Sequence, residues 1–336
     1  MQAADFTIAL DAMSGDLGPG VVAAAAKQAL ERHTRLSVVL VGDRAALQPL
    51  VGGRPDDGRL SVRHADEVVT MNDAPVDALR RKKKSSMRVA IDLVKAGEAQ
   101  ACVSAGNTGA LMAIAKFVLK TVPGIHRPAI LAEVPAKVGM VHMLDLGANA
   151  DCTAEQLFQF AMMGSVVTGD IRGLDNPRIA LLNIGEEDIK GDEVVKSAAD
   201  LLSSSGLNYV GYIEGNDIPS GKADVVVTDG FTGNVALKTM EGTARLISGI
   251  LRGAFDRSWL TRLQAFAASN VLKRLRTELD PRHYNGASLV GLTGIVIKSH
   301  GSADELAFLH AIDTAVVEVT HDVPSQIGRL LQREAA

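Results

Sequence analysis

Aromatic side chains are scarce in this 336-residue sequence, at 4% with a single Trp. A chain so poor in flat rings is badly equipped to stack on nucleic-acid bases or to fill a β-sandwich. Cysteine is nearly absent. Cys102 and Cys152 have no metal-ligand spacing, which argues against a disulfide framework and against a zinc site. Positive charge is not in excess either: the formal net charge is −4, so any contact with nucleic acid or an anionic surface must be a local patch. No stretch approaches 18 uninterrupted apolar residues, and Phe6 enters a strand with no basic segment and long apolar run before it, so the chain is expected in the cytoplasm and not across a membrane. What the chain does have is an apolar share of 47% and 32 glycines, ample for a core of tightly packed βα layers, as two domains or as one large α/β unit.

The stretch from Ala223 to Thr239, ADVVVTDGFTGNVALKT, shows how those layers are built. Val225 to Val227 is a β-branched run of the kind covered on both faces in a parallel sheet. Asp229 ends it. Gly230 and Gly233 permit a sharp turn and close approach to a ligand, and Asn234 heads an apolar-periodic run through Val235, Leu237 and Met240. Backbone N–H groups left open at that helix start would favour an anion, with Lys238 one turn in. An ordinary strand-to-helix turn accounts for the same residues, and this stretch alone does not separate the two readings.

The pattern recurs along the chain. Phe6 to Leu10 runs into DAMSGDLGPG, which offers Asp11, Ser14 and Asp16 among glycines, with Pro19 near the start of a helix over Val21 to Leu30. Leu36 to Val41 follows as a second strand. Ala101 to Ser104 opens into SAGNTGALM, with Ser104, Asn107 and Thr108. Val141 to Leu146 ends in DLGANAD, which contains Asn149, before a helix around Gln156 to Met163. Ile179 to Leu182 ends in NIGEEDIKGDEVVK, with Asn183 and Lys190. Tyr209 to Ile213 ends in EGND, Val225 to Thr228 in DGFTGN, and Ile295 to Ile297 in KSHG, with Lys298 and His300, before a helix over Asp304 to Val319. Ligands of open α/β sheets bind outside the carboxyl ends of the strands, so these loops are expected to converge on one face.

Two stretches stand apart. Arg80 to Lys84 (Arg80, Arg81, Lys82, Lys83, Lys84) are consecutive basic residues ahead of Ser85, which suits the N-cap of a helix over Met87 to Lys95. They read either as a solvated loop or as a dock for an acidic partner or a phosphate-bearing substrate. Between Met240 and Pro281 the sequence is helical in pattern with no strand, and is expected to form a hairpin. Trp259, Leu260, Leu263, Phe266 and Ala267 share a stripe, with Arg252, Arg257, Arg262, Lys273, Arg274 and Arg276 off it. That stripe packs on the core or a second copy, or rests in a lipid interface or on an acidic partner.

Familiar nucleotide motifs fail. The glycines at 15, 18 and 20 have the wrong spacing for a dinucleotide fingerprint. Gly215 to Lys222 has one residue too many for a P-loop and is followed by Ala223 and a strand. Cys152 has no adjoining His and reads as a small buried hydrophobe before it reads as a nucleophile. By contrast, ALDAMSGD, SSMRVA, VSAGNTGALM, LDLGAN, LLNIGEEDIKG, DGFTGNVALKTMEG, YNGASLVGL and IKSHG occur in fixed order along nearly the whole chain. In them the sequence resembles PlsX-type phosphate acyltransferases, with Ser14 where the family usually has glycine. The resemblance implies a three-layer α/β/α sandwich with a mostly parallel sheet, like that of isocitrate and isopropylmalate dehydrogenases and of phosphate acetyltransferase. Residues 1–336 would form one catalytic unit, with a helical hairpin inserted over 240–281. It also implies a homodimer held peripherally at the membrane, turning acyl-ACP and inorganic phosphate into acyl phosphate and free acyl carrier protein. That is the first step of bacterial phospholipid synthesis, with a glycerol-3-phosphate acyltransferase downstream.

That chemistry suits the residues. Phosphate dianion is already a nucleophile, since its second ionisation lies near 6 to 7, and a thiol ionising at about 8.5 leaves without full protonation. The main need is therefore to hold phosphate and stabilise an oxyanion, with no cofactor and no metal expected and a bound Mg²⁺ as the open alternative. Lys190, Lys298 and His300 are expected to hold the phosphate or the leaving group, with Asn234 and Asn107 facing the carbonyl. Asp11, Ser104, Thr108, Asn149, Asn183, Asp229, Gly230 and Gly233 would line the substrates. A loop-stabilising hydrogen bond is the competing role for each. Asp11, Asp145, Asp229 and Glu186 are expected to orient donors, because a carboxylate-crowded site would repel phosphate. Acidic acyl carrier protein would dock on Arg80 to Lys84 or on the hairpin's Arg262, Lys273 and Arg274, and the membrane would meet Trp259, Leu260 and Leu263. Transfer of small acyl groups from CoA, a metal-dependent decarboxylating dehydrogenase and a membrane scaffold are the competing functions.

Overall fold

The computed structural model describes residues 6–52, 58–272 and 280–334. Its strands are β1 (Phe6–Asp11), β2 (Leu36–Gly42), β3 (Leu60–His64), β4 (Ala101–Ser104), β5 (Ala129–Pro135), β6 (Met140–Leu144), β7 (Ile179–Leu182), β8 (Tyr209–Ile213), β9 (Val225–Val227), β10 (Ala287–Val290) and β11 (Ile295–Lys298). Its helices are α1 (Pro19–Arg32), α2 (Arg44–Val51), α3 (Pro75–Arg81), α4 (Ser86–Lys95), α5 (Thr108–Leu119), α6 (Ala154–Arg172), α7 (Glu193–Ser203), α8 (Gly230–Phe255), α9 (Trp259–Ala267), α10 (Glu305–His321) and α11 (Val323–Glu334). Pro19 opens α1, where its missing N–H costs nothing, and Ser85 caps α4 by accepting from Arg88 N at 3.3 Å, both as the sequence suggests. No described helix is long and apolar enough to cross a membrane.

The strands form one sheet in the order β3-β2-β1-β4-β11-β10-β5-β6-β9-β7-β8. β1 to β4 and β11 are mutually parallel. β10 is antiparallel to β11 and to β5, β5 is antiparallel to β6, and β9, β7 and β8 follow β6 in parallel. Three reversals leave the second half of the sheet running opposite to the first. The expected convergence of all the strand-end loops is therefore corrected: the ends of β1, β4 and β11 lie on one edge, and those of β6, β7, β8 and β9 on the other.

Side-chain alternation assigns the faces. Ile8, Leu10, Ala101, Val103, Ile295 and Ile297 pack with α1 and α10. Ala9, Cys102 and Val296 point the other way, into a cluster with Met87 and Ile91 of α4 and Leu111 and Ile114 of α5. That cluster continues across the seam through Ile130, Ala132, Val141 and Met143 to Ala236, Leu237 and Met240 of α8. Behind the second half, Leu131 and Leu144 meet α6 and α7. α8 thus starts at one edge of the sheet, crosses the face shared with α4 and α5, and leaves the body. Beyond Gly233 none of its residues is buried, and none of α9 is.

Candidate active site

Asp11, Ser104 and Lys298 end three adjacent parallel strands, and the register pairs Asp11 with Ser104 and Ser104 with Lys298. Each follows by two the residue that points toward α4 and α5, so all three face the side crossed by α8. Asp11 and Ser104 are completely buried. The Ser104 hydroxyl donates to Asp11 Oδ2 at 2.7 Å and accepts from Gly106 N at 3.1 Å. Ser14 Oγ lies 3.2 Å from Ser104 Oγ, donates to Asp11 O at 3.3 Å and accepts from Ala105 N at 3.2 Å. Ser14 does not need positive φ, so its departure from the family glycine adds a hydroxyl to this network at no backbone cost. Burial pushes the Asp11 carboxyl up from its ordinary range against the Ser104, Ser86 and Ser14 hydroxyls. This buried row is the floor of the site.

Lys298 and His300 stand above it. Lys298 Nζ donates to Ser299 O. Burial first, then the neighbouring Lys238 ammonium, lowers its pKa to about 8 against the pull of Asp16 and Asp11. His300 is lowered by burial and then by Lys238 and Lys298, so it is neutral near pH 7. Ser302 N donates to His300 Nδ1 at 3.2 Å, which leaves the ring proton on Nε2 as a donor. Lys238 already pairs with Glu241 at 3.0 Å, so the ammonium that a bound anion would relieve is first of all that of Lys298, which has no carboxylate partner among the described residues. Lys238 belongs to α8, and Asn234 lies one turn before it, about 6 Å along the axis. Asn234 itself packs against the Asp145 loop, its side chain within 4 Å of where a Cβ on Gly147 would stand.

The four amides expected from the sequence divide sharply. Asn107 caps α5 by accepting from Ala110 N at 3.0 Å, and its Nδ2 donates to Met71 O and Asp73 O at 2.8 and 3.1 Å. Asn149 Nδ2 donates to Pro128 O and to Asp145 Oδ2, both at 2.9 Å. Asn183 donates to Lys190 O at 3.1 Å, bracing its own loop. None of the first two has a hydrogen left for a reacting carbonyl, which corrects the expectation for Asn107. Among the described residues only Asn234 of the four has an unengaged side-chain amide. Thr108 opens α5 beside Asn107. Lys190 pairs with Glu187 at 3.0 Å in an exposed loop, and no contact among the described residues joins it to Lys298 or His300.

The opposite edge is built around Asp145. Its carboxylate accepts from Ile130, Gly147, Ala148 and Asn149 N–H and from the Asn149 amide, at 2.7 to 3.2 Å. The glycines of DGFTGN serve this loop, not a ligand: a Cβ on Gly230 would stand 2.5 Å from Asn149 O, and one on Gly233 would stand 2.0 Å from Asp145 O. α8 begins at Gly230, earlier than the sequence suggests. Asp229 caps it, accepting from Thr232 N at 2.8 Å, while Gly230 N donates to Asn149 O at 2.7 Å. Of the donors expected to hold an anion there, the N–H groups of Gly230, Thr232 and Gly233 are already engaged. Asp145→Ala leaves five donors without their acceptor and is expected to destabilise the fold by about 3 kcal/mol or more, measured by urea unfolding.

The basic segment lies at the end of α3, which packs on α5; Gly109 of α5 meets Pro75. Arg81 pairs with Asp77, Lys82 with Asp73 and Lys84 with Asp66, while Arg80 and Lys83 have no ion-pair partner among the described residues. Arg262 pairs loosely with Asp256 at 3.6 Å, and Lys273 and Arg274 lie outside the described residues. Trp259, Leu260, Leu263 and Phe266 are exposed, at 74, 54, 58 and 78%. A cavity of about 180 Å³ lies on the opposite face, between β5, β6, β10 and α10, lined by Glu133, His142, Asn285 and Glu318 among others. Its polar lining and position behind the sheet separate it from the cleft of Lys298. Burial raises Cys152 to about 11, so it is no ready nucleophile.

Comparison with known proteins decides the family. A family model described as "Fatty acid synthesis protein" matches residues 6–326. The phosphate acyltransferase of Halorhodospira halophila is 57% identical over 330 residues, 97% of this chain and 96% of that protein. That of Alkalilimnicola ehrlichii is 59% identical over the same length and shares. The chain belongs to the PlsX phosphate acyltransferase family. Solved structures extend the likeness of fold beyond this family. A phosphotransacetylase from Streptococcus pyogenes superposes with a TM-score of 0.59 at 21% identity, over 94% of each chain. The EutD phosphotransacetylase from Staphylococcus aureus gives 0.57 at 16%, over 94% of this chain and 95% of its own. Ser302 and Asn285 escaped the sequence reading, although Asn285 stands in YNGASLVGL, one of the stretches that carry the PlsX family resemblance.

Proposed function

We propose that the protein transfers a long acyl group from acyl carrier protein to inorganic phosphate, releasing acyl phosphate and the carrier thiol. The observation that carries this reading is the set Lys298, Lys238 and His300 Nε2–H, with the unengaged amide of Asn234 one turn along α8 from Lys238. In this reading Lys298 and Lys238 bind the phosphate dianion and orient it toward the thioester carbon. Asn234 donates to the carbonyl oxygen as it gains charge, and His300 Nε2–H donates to phosphate or to the departing sulfur. The C–S bond breaks, a C–O bond forms, and the thiolate takes a proton from solvent. Phe231 and Val235, exposed at 69 and 50% on the same stripe of α8 as Asn234 and Lys238, offer the acyl chain an apolar wall.

The remaining roles follow from this reading. Residues 1–336 act as one catalytic unit with the layering of the isocitrate and isopropylmalate dehydrogenase fold, from which α9 and the end of α8 project as the hairpin. The projecting apolar residues supply contact with a membrane surface and with a second copy in a homodimer, placing acyl phosphate near a glycerol-3-phosphate acyltransferase. Acyl carrier protein docks on Arg80 and Lys83, which have no ion-pair partner among the described residues. Arg80→Glu with Lys83→Glu is expected to raise KM for acyl-ACP about tenfold at low salt and leave KM for phosphate unchanged, a loss that shrinks as salt rises.

The deciding experiment incubates the purified protein with palmitoyl-ACP and phosphate and follows free thiol and acyl phosphate together. Equal, phosphate-dependent appearance of both is expected. Thiol release without phosphate dependence means a thioesterase, and turnover only with short acyl-CoA means a small-acyl transferase.

A further inference from the structure

We propose that Asn285 is the positioning residue of the phosphate-binding loop, fixing where Lys298 and His300 point without touching substrate. The proposal rests on the reading of the site given above. Asn285 Oδ1 accepts from His300 N at 2.9 Å, and its Nδ2 donates to Ser299 Oγ at 2.8 Å and to Ala307 O at 2.7 Å. One side chain therefore holds the two residues that follow Lys298 and ties them to the first turn of α10. The amide has one workable orientation, because a flip would set its oxygen against the Ala307 carbonyl and its NH₂ against His300 N–H. Ser299 is completely buried, and its N–H donates to Ser104 O at 2.9 Å, so the loop hangs between the Ser104 floor and Asn285.

Asn285 is itself pinned from behind. It follows a 3-10 turn over Pro281–Tyr284, in which Arg282 reaches Asp304, the N-cap of α10, at 2.8 Å. The next residue, Gly286, has φ +124°, and a Cβ there would stand 2.9 Å from Ala311 Cα and 2.8 Å from Thr314 Oγ1. The backbone is thus pressed onto α10, and Asn285 borders the cavity of about 180 Å³. The three hydrogen bonds set where its side chain points. Displacement of a binding group by about 1 Å can cost about 100-fold in rate, and the loop carries both Lys298 and His300.

The test uses the full chain with Asn285→Asp and Asn285→Ala. The Asp variant keeps the shape and the acceptor but loses both N–H donors; the Ala variant loses all three bonds. Both are expected to raise KM for phosphate by about 10- to 100-fold, with KM for acyl-ACP within about twofold of the parent and the alkaline limb of the phosphate pH profile displaced. Folded variants with the parent's phosphate KM and pH limb would overturn the proposal. So would equal losses for both substrates with a lowered melting temperature, the mark of general damage. Lys298→Met measured alongside keeps the two readings apart: if it too retains the parent's phosphate KM, the site assignment fails, whereas a loss there with unchanged Asn285 variants removes the positioning role alone.

Discussion

Lys298→Met is expected to lower kcat/KM for phosphate by about 1,000-fold, the scale on which a preorganised charge stabiliser contributes, while the protein stays folded. The folded state does not depend on that ammonium. It is lodged beside Lys238, makes one bond to a backbone carbonyl, and has its pKa lowered by burial, so the apo protein holds it at a cost that phosphate offsets. Met keeps the unbranched stem and removes the charge. Single-turnover acyl phosphate formation at varied phosphate measures the effect, and a variant within threefold of the parent would remove Lys298 from the site.

The pH dependence follows from the same group with its sign fixed. Lys298 is protonated below about 8 and loses its charge above it, whereas phosphate becomes a dianion as pH rises through about 6 to 7. kcat/KM for phosphate should therefore rise through the phosphate ionisation, peak between pH 7 and 8, and fall through about 8. His300, lowered by burial and then by the two lysines, is neutral across the alkaline limb and does not contribute to it. Lys298→Arg keeps a cation that does not titrate here, and is expected to abolish the alkaline limb even where its geometry lowers the rate. A limb that persists unchanged in the Arg variant would assign it elsewhere.

Much of this site is legible in the sequence because strand ends announce themselves: Asp11, Ser104 and Lys298 each close an apolar run and precede glycine-bearing loops. Their register is not legible, and neither is the direction of the sheet. The sequence reading passes over β5 and β10, AILAEVP and ASLV, which turn back directly into β6 and β11 without a helix between and so give no βα signal. They are also the strands whose antiparallel pairing reverses the sheet. Missing them turned two opposite edges into one. The amides fail for a different reason. Asn107, Asn149, Asn183 and Asn234 look alike beside glycine, and only the positions of Met71 O, Pro128 O and Lys190 O show which are engaged. Likewise the glycines of DGFTGN promise close approach correctly, but what approaches is the Asp145 backbone.

Leu260→Glu with Leu263→Glu is expected to release the protein from anionic vesicles, lowering the partition coefficient by roughly 100-fold or more, while turnover of palmitoyl-ACP in solution stays within about twofold. Each leucine withdrawn from an interface forfeits about 2 kcal/mol of apolar burial, and a carboxylate facing an anionic surface adds repulsion. Both residues lie on a helix with no buried side chain, so the substitutions remove no core contact. Trp259, Leu263 and Phe266 recur at i, i+4 and i+7 of α9, and Leu246 and Ile250 of α8 expose a further apolar pair, more apolar surface than an isolated hairpin in water sustains without a cover. Arg252, Arg257 and Arg262 nearby add attraction to anionic headgroups, so binding should weaken with salt in the parent. Vesicle sedimentation at two salt concentrations, with sedimentation velocity on the same samples, separates the two covers. Loss of vesicle binding with the oligomeric state kept assigns the stripe to lipid. Loss of the dimer with vesicle binding kept assigns it to the second copy, and no change in either removes the hairpin from both roles.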